Sequence, residues 1–200
     1  MLEAARPRPE KYRQALANNI YEYEGLNVHS KEIRLIKLRR NLITGVRSSL
    51  EHFSSEDAPA YEAVSYTWDS PIKDHLVFFD GCWLPTTRNV YRILLDRASL
   101  FRTRWLWIDA VCINQENDAE KSVQVGMMGE IYHGAERVIV WLGDVAVKTS
   151  EVIAAMFLLE KLQYNIRNYE QYKLKLDSME LFRHPYWQRM WIIQEVAKAR

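Results

Sequence analysis

The residues best suited to chemistry lie near the end of the 200-residue chain, in the segment HPYWQRMWIIQEVAKAR (184–200). Helical spacing places Trp187, Trp191 and Glu195 in one i, i+4, i+8 row. Gln194 lies beside that row. A buried row is ordinarily apolar, and a solvated row has little use for two indoles, so a carboxylate on this stripe needs an explanation.

Two interpretations of this stripe are open. In the first, the stripe is the helical wall of a ligand cleft. In the second, it belongs to a core helix in which the indoles hydrogen-bond Gln194. Glu195 would then pair with an arginine such as Arg189 or Arg88, as many glutamates at helix edges do.

Polar residues also follow apolar runs that are typical of buried strands. Two such runs lie in the segments YEAVSYTW (61–68) and RWLWID (104–109). The candidate binding residues at these ends are Ser65, Tyr66, Trp68, Asp69, Asp109, Asn114 and Gln115. Ligands of open parallel sheets bind at the carboxyl ends of the strands, so we expect these residues to line one site. Asp109 has a second interpretation, a carboxylate that caps the following turn.

Standard catalytic signatures are absent from the sequence. It contains neither G-x-G-x-x-G nor a P-loop, which disfavours a Rossmann-fingerprint or Walker-type nucleotide site. The five histidines show no metal-ligand spacing, so no metal and no resident cofactor are predicted. Cys82 and Cys112 form neither a disulfide framework nor a metal motif. We interpret them as reduced, structural thiols, as in an intracellular protein.

Composition narrows the class of protein. Hydrophobic residues make up 48% and charged residues 26% of the chain, as in ordinary soluble domains. The net charge of +1 gives no electrostatic reason for a nucleic-acid or membrane partner. The N-terminus lacks a signal peptide, and the longest apolar run, VIAAMFLL (152–159), is too short to span a bilayer. We therefore expect a cytoplasmic location and no membrane span.

The first half of the chain is predicted to be β-rich. EIRLIKL (32–38) and GVRSSLEHF (45–53) are typical of strands. In HLVFFDGCWLP, the pair Asp80-Gly81 between two apolar runs predicts a β-hairpin.

From residue 86 onward, predicted helices alternate with buried strands. The helices cover about 86–100, DAEKSVQVGMMGEIYHGA (118–135) with its stripe of Val123, Met127 and Ile131, and about 149–175. The strands are RWLWID, ending at Asp109, and residues 138–142. This alternation predicts an α/β fold with a Rossmann-like, mostly parallel central sheet flanked by helices and an N-terminal antiparallel elaboration.

We divide the chain into a loose, Pro-punctuated lead-in (1–20) and one domain (21–200). The sequence stops inside a predicted helix, with no cap or glycine stop. We therefore expect the domain to be the N-terminal part of a longer protein.

Several stretches together resemble the fungal heterokaryon incompatibility (HET) domain. They are IRLIKL, YEAVSYTW, LPTTRNVYRIL, LWIDAVCINQ, EKSVQVGMMGEIYHGAERVIVWLG and WQRMWIIQE, in the family's order from about Tyr21 to Glu195. The chain departs from the family at Asp69, where a glycine usually follows SYxW. The resemblance implies an effector domain of non-self recognition that triggers programmed cell death, commonly joined to further domains of the parent protein.

A weaker resemblance, to TIR domains, concerns mechanism. VSY (64–66), WID (107–109), VIVWL (138–142) and Trp191-x-x-x-Glu195 occupy places similar to TIR strands and the TIR W-x-x-x-E helix. Several TIR domains cleave NAD at the nicotinamide–ribose bond, and their catalytic glutamate falls on Glu195 here. The resemblance thus implies a TIR-like fold, with NAD as a substrate and self-association on activation.

The residue types suit this chemistry. Cleavage of an N-glycosidic bond passes through an oxocarbenium-like state that a carboxylate such as Glu195 stabilises. Trp191 or Trp68 offers a flat wall for the nicotinamide or adenine ring. Arg88 and helix N-termini suit the pyrophosphate. Two alternatives remain open: a non-enzymatic death-signalling module that acts by self-association or partner recruitment, and a nucleotide-binding sensor.

Overall fold

The sheet is organised around β1 (Glu32–Asn41), as the computed structural model of the chain shows. Ile33 and Leu35 lie on one face of this strand, and Ile36 and Leu38 lie on the other. All four side chains are buried. A strand that is apolar on both faces has to be covered on both sides, and β1 accordingly lies in the middle of the sheet.

The structure describes residues 19–27, 30–41, 45–68, 70–143, 154, 179–183 and 186. The chain forms two compact units, one comprising Met1–Trp141 with Ile193–Arg200 and the other Leu142–Ile192. The elements below belong to the first unit, except for the short helix α4 (Glu180–Arg183) in the second.

Seven strands form one sheet within the described residues, in the order β5-β4-β2-β1-β6-β3-β7. The remaining strands are β2 (Gly45–Ser54), β3 (Glu62–Tyr66), β4 (His75–Phe79), β5 (Cys82–Thr86), β6 (Arg104–Trp107) and β7 (Arg137–Trp141). Helices α1 (Arg88–Arg97), α2 (Asp109–Cys112) and α3 (Asp118–Gly134) connect the later strands.

The α/β class is confirmed, but the prediction of a mostly parallel sheet is wrong. β6, β3 and β7 are parallel neighbours. β1 pairs antiparallel with both β2 and β6, and the β1–β2 ladder is ten residues long. Of the six neighbouring strand pairs in this sheet, three are antiparallel and three are parallel, because the apolar β1 lies in the middle and pairs antiparallel on both sides.

The predicted hairpin at Asp80-Gly81 is confirmed. Phe79 pairs with Cys82 across the turn. Asp80 and Gly81 have φ values of 49° and 87°, as a type I′ turn requires at both central positions. The Asp80 carboxylate also accepts the backbone N–H of Leu50 at 2.9 Å, which ties the hairpin to β2.

Two local predictions need correction. The strand RWLWID ends at Trp107, and Asp109 instead begins α2, since backbone N–H groups of the next residues bond back to Ile108. On α3, Met127 and Ile131 are buried as predicted, but Val123 is 38% exposed. The buried face includes Glu120 and Gln124, because these polar side chains bond to groups inside the fold.

Except for Ala154, which is helical, the helical region predicted at 149–175 lies outside the described residues, as does the helix of the Trp187–Glu195 stripe. None of the helices that the structure describes has the length and apolar character needed to cross a lipid bilayer.

Candidate functional site

The candidate site lies where β3 and β6 end. The two strands are parallel, with Glu62 opposite Leu106 and Ala63 opposite Trp107, so both carboxyl ends reach the same edge of the sheet. Trp68 follows β3 by two residues, and Asp109 follows β6 by two residues. The topology therefore brings together residues that are 41 positions apart in sequence.

Trp68 and Asp109 are bonded directly to each other. The indole Nε1 of Trp68 donates to Asp109 Oδ2 at 3.0 Å, and 51% of the Trp68 residue is exposed. The other carboxylate oxygen of Asp109 accepts the backbone N–H of Ala110 at 2.7 Å. Asp109 is therefore the first residue of α2 and not its N-cap, which is Ile108 without a side-chain capping bond, and it holds an exposed aromatic side chain.

Two amides fix the loops around this pair. Gln115 Nε2 donates to the backbone oxygen of Asp109 at 2.9 Å. Asn89 Nδ2, in the first turn of α1, donates to the backbone oxygen of Thr67 at 3.0 Å. Sequence reasoning selected Gln115 but missed Asn89. An amide in the first turn of a helix is a common loop anchor and is the signal that would have pointed to it.

The remaining candidates are placed differently. Ser65 and Tyr66 lie inside β3 and are buried, rather than beyond its end. Arg88 is exposed at the first position of α1. Asn114 Oδ1 accepts the backbone N–H of Glu116 at 3.1 Å and shapes the loop before α3. Asp69, Trp191, Gln194 and Glu195 lie outside the described residues, so their roles stay predictions.

A buried ion pair supports the loop between α2 and α3, which carries Gln115. The guanidinium of Arg34, on β1, donates to both oxygens of Glu120, on α3, at 2.6 and 3.0 Å. Glu120 also accepts the backbone N–H of Asn114 at 2.7 Å. Arg34 donates to the backbone oxygen of Cys112 at 3.1 Å. Both ends of the loop between α2 and α3 are thereby fixed to the central strand.

Arg34 has two further hydrogen-bond partners within the protein, the partly exposed His52 and the backbone of the exposed Glu24. Its Nε donates to His52 Nε2 at 3.3 Å, and its second terminal nitrogen also bonds to the backbone oxygen of Glu24. The Tyr23 ring lies 5.0 Å from the guanidinium carbon. Burial alone raises the pKa of Glu120, but hydrogen bonds from Arg34 and from the Asn114 backbone outweigh it and lower that pKa. We call Arg34, Glu120 and the groups that contact them the enclosed cluster; these groups belong to Tyr23, Glu24, His52, Cys112 and Asn114.

Sequence reasoning missed the enclosed cluster. Arg34 lies in EIRLIKL (32–38), whose pattern predicts only a strand. Its position between Ile33 and Leu35, on a strand apolar on both faces, is the signal that it needs a buried carboxylate partner.

The thiol of Cys112 is not placed for nucleophilic chemistry. Cys112 is buried and free, and burial raises its pKa to about 12. A thiolate is the reactive species, so this thiol stays protonated near neutral pH. The interpretation of Cys112 as a buried structural thiol is confirmed. Within the part of the chain that the structure describes, no group of three or more His, Cys, Asp or Glu residues is arranged to hold a metal ion.

The fold and site together define an α/β domain with an aromatic residue held by a carboxylate at its parallel strand ends. Residues 61–195 match the family described as heterokaryon incompatibility protein (HET). The chain belongs to this family. The matched range includes Trp68, Asp109 and Glu120, whereas Arg34 precedes it.

A curated relative carries the same family name. Heterokaryon incompatibility protein 6, OR allele, from Neurospora crassa is 34% identical over 111 residues. The match covers 49% of this chain and 16% of that relative, so this chain corresponds to a small part of its length. No solved structure matches the chain.

Proposed function

We propose that this chain is an effector domain of heterokaryon incompatibility and acts inside the cell. Its membership of the HET family and its similarity to a protein named heterokaryon incompatibility protein 6 support the proposal. The biological consequence is programmed cell death when incompatible cells fuse, which follows from the resemblance of the sequence to this family. The domain works together with the other domains of its parent protein.

The mechanism that we propose is cleavage of NAD at the nicotinamide–ribose bond, beside Trp68. The observation that carries it is the Trp68–Asp109 hydrogen bond, because a half-exposed indole held in one orientation suits stacking against a flat heterocycle. Arg88 suits the pyrophosphate as a guanidinium donor. Glu195 is the carboxylate assigned to stabilise the developing oxocarbenium ion.

The test is nicotinamide release from NAD by the purified chain, in dilute and in crowded solution. We expect turnover in at least the crowded sample, and we expect Glu195→Ala to abolish it. Glu130→Ala is the matched control, because Glu130 is an exposed glutamate that pairs only with Lys31 among the described residues. Trp68→Ala should raise KM more than Trp68→Phe, since phenylalanine keeps a stacking surface. Absence of turnover, or equal turnover by Glu195→Ala, would contradict the mechanism.

A second candidate function is a non-enzymatic signalling module that acts by self-association. One observation favours it: Phe101, on the connection between α1 and β6, is 95% exposed. Aromatic side chains are enriched at the centres of protein interfaces, so Phe101 is the candidate anchor. If cell death in a fungal host survives Glu195→Ala but is lost with Phe101→Ser, the signalling module is the correct assignment.

A further inference from the structure

A polar pocket lies at the amino-terminal ends of the three parallel strands. Glu62, Arg104 and Arg137 are the first residues of β3, β6 and β7, and the register places Glu62 opposite Arg137. The pocket has a volume of about 120 Å³. Its polar lining comes from Glu62, Arg102, Thr103, Arg104, Glu136 and Arg137. We call these residues and the adjacent Arg97 the open cluster.

Glu62 holds the guanidinium groups in place. Arg97, the last residue of α1, donates to one oxygen of Glu62 at 2.6 Å, and Arg104 donates to the other at 2.8 Å. Arg137 approaches the same carboxylate at 3.8 Å. The Glu62 side chain is only 8% exposed, whereas that of Arg137 is 56% exposed. The carboxylate is thus the buried centre, two mostly buried arginines bond to it directly, and Arg137 approaches it from the exposed side.

The open cluster carries more positive than negative charge. Its four cations are Arg97, Arg102, Arg104 and Arg137, and its two anions are Glu62 and Glu136. Arg102 is exposed and forms no side-chain hydrogen bond or ion pair with the described residues. Arg104 lines the pocket, and its Nε–H group is buried and has no partner among those residues either. Buried donors without acceptors are costly, so an added acceptor stabilises this arrangement.

We propose that the open cluster binds the phosphate group of a small molecule. A phosphate supplies several oxygens and up to two negative charges to a pocket lined by three arginines and two glutamates, with Arg97 adjacent. Guanidinium groups recognise phosphate through paired, charge-assisted hydrogen bonds. The set contains arginines and no lysine, which favours geometric recognition of an oxyanion over a diffuse positive surface. The pocket is large enough for a phosphate group and too small for a folded segment.

This site is separate from the one proposed for NAD. Glu62 begins β3, whereas Trp68 follows its end, so the two sites lie at opposite ends of the same strand. Four residue steps along a strand span roughly 13 Å. Substitutions in the open cluster therefore leave the NAD site intact, and either proposal can fail without the other.

The experiment is isothermal titration of the purified 200-residue chain with inorganic phosphate, with adenosine monophosphate and with acetate, at constant ionic strength. Arg102→Gln and Arg137→Gln are the test variants, because both residues are exposed and their loss leaves the Glu62 centre bonded to Arg97 and Arg104. Arg47→Gln is the matched control, since Arg47 is an exposed arginine on β2 with no side-chain partner among the described residues. Circular dichroism verifies that each variant is folded.

We expect phosphate to bind with 1:1 stoichiometry. Each test variant should weaken it about tenfold, the effect of losing one charge-assisted hydrogen bond. Arg47→Gln should leave binding unchanged. If adenosine monophosphate binds more tightly than phosphate, the ligand is a nucleotide. If the two bind equally, the phosphate group alone is recognised. Acetate binding as tight as phosphate, no binding at all, or equal binding by all variants would overturn the proposal.

Discussion

The enclosed cluster and the open cluster use the same chemical pair, a glutamate held by arginine, in opposite ways. In the enclosed cluster, Arg34 is fully buried, and each of its three guanidinium nitrogens donates to another group of the protein. In the open cluster, Glu62 is buried but most of its cations are partly exposed and outnumber the carboxylates. An ion pair with every donor satisfied internally serves structure, whereas one with surplus donors at the surface is available to a ligand.

The two clusters also differ in what they connect. Arg34 joins β1 to α3, and through the backbone of Cys112 it reaches the loop that carries Gln115. Glu62 joins the beginnings of three neighbouring strands to the end of α1. Removing Arg34 therefore disturbs a long-range connection, whereas removing an outer arginine of the open cluster changes only the rim of a pocket.

Arg34→Met should have the largest effect on stability. The substitution leaves the Glu120 carboxylate buried without its cation, which costs about 3–5 kcal/mol of unfolding free energy. Urea unfolding followed by circular dichroism measures the loss. Arg39→Met is the control on the same strand, because Arg39 is exposed and has no side-chain partner among the described residues.

The double variant Arg34→Met, Glu120→Leu sharpens this comparison. It removes both charges together, so we expect it to recover part of the stability lost in the single variant. A single variant as stable as Arg39→Met would show that the enclosed cluster is not a structural pair.

The acid dependence of stability should come in part from Glu120. Its pKa is lower in the folded chain than the usual value of 4.5, so the unfolded chain binds more protons in this range. Its contribution is therefore fully present above about pH 4.5 and is lost as the pH falls through the folded-state pKa. Unfolding free energies measured across this window should depend less steeply on pH in Glu120→Gln. Glu130→Gln, at an exposed site, should keep the dependence of the unsubstituted chain.

Asp109 is intermediate between the buried enclosed cluster and the exposed arginines of the open cluster, since it is partly buried and accepts a hydrogen bond from the exposed Trp68. Asp109→Ala removes the acceptor of the Trp68 indole, and we expect a loss of about 1–2 kcal/mol. Fluorine NMR of 5-fluorotryptophan-labelled protein, with Trp68→Phe for assignment, should show a shifted and broadened Trp68 resonance. Asp96→Ala is the matched control, because Asp96 accepts the indole of Trp141 at 3.1 Å. It should shift the Trp141 resonance and leave that of Trp68 unchanged.

The parts of the fold that sequence could predict depend on local chemistry. Asp80-Gly81 predicts its hairpin because a type I′ turn needs two residues that tolerate positive φ. Asn117 caps α3 by accepting the backbone N–H of Glu120 at 3.1 Å, in keeping with a helix predicted to begin at Asp118. Trp68 and Asp109 could be grouped in advance because parallel strands end at one edge of a sheet.

The pairing between distant strands could not be predicted from local sequence patterns. Nothing near β1 in the sequence indicates that Ile36 pairs with Leu106, and that pairing makes the sheet mixed. Both clusters depend on such long-range placement. The Arg34–Glu120 pair joins residues 86 positions apart, and Arg104 and Glu62 are 42 apart. A buried charge on an apolar strand signals that a partner is required, but it does not identify the partner.

The smallest effects on stability should come from the exposed arginines of the open cluster. Arg102→Gln should leave the urea midpoint unchanged, and Arg137→Gln should cost less than about 1 kcal/mol, because exposed ion pairs contribute little. Arg104→Gln serves as the contrast: it removes a 2.8 Å charge-assisted bond from a nearly buried carboxylate, so it should be the most destabilising of the three. A large loss of stability in Arg102→Gln would place that residue in the structural class with Arg34. Unchanged stability together with weakened phosphate binding would separate the two clusters by role. Arginine–glutamate pairing would then stabilise the fold in the enclosed cluster and serve ligand binding in the open cluster.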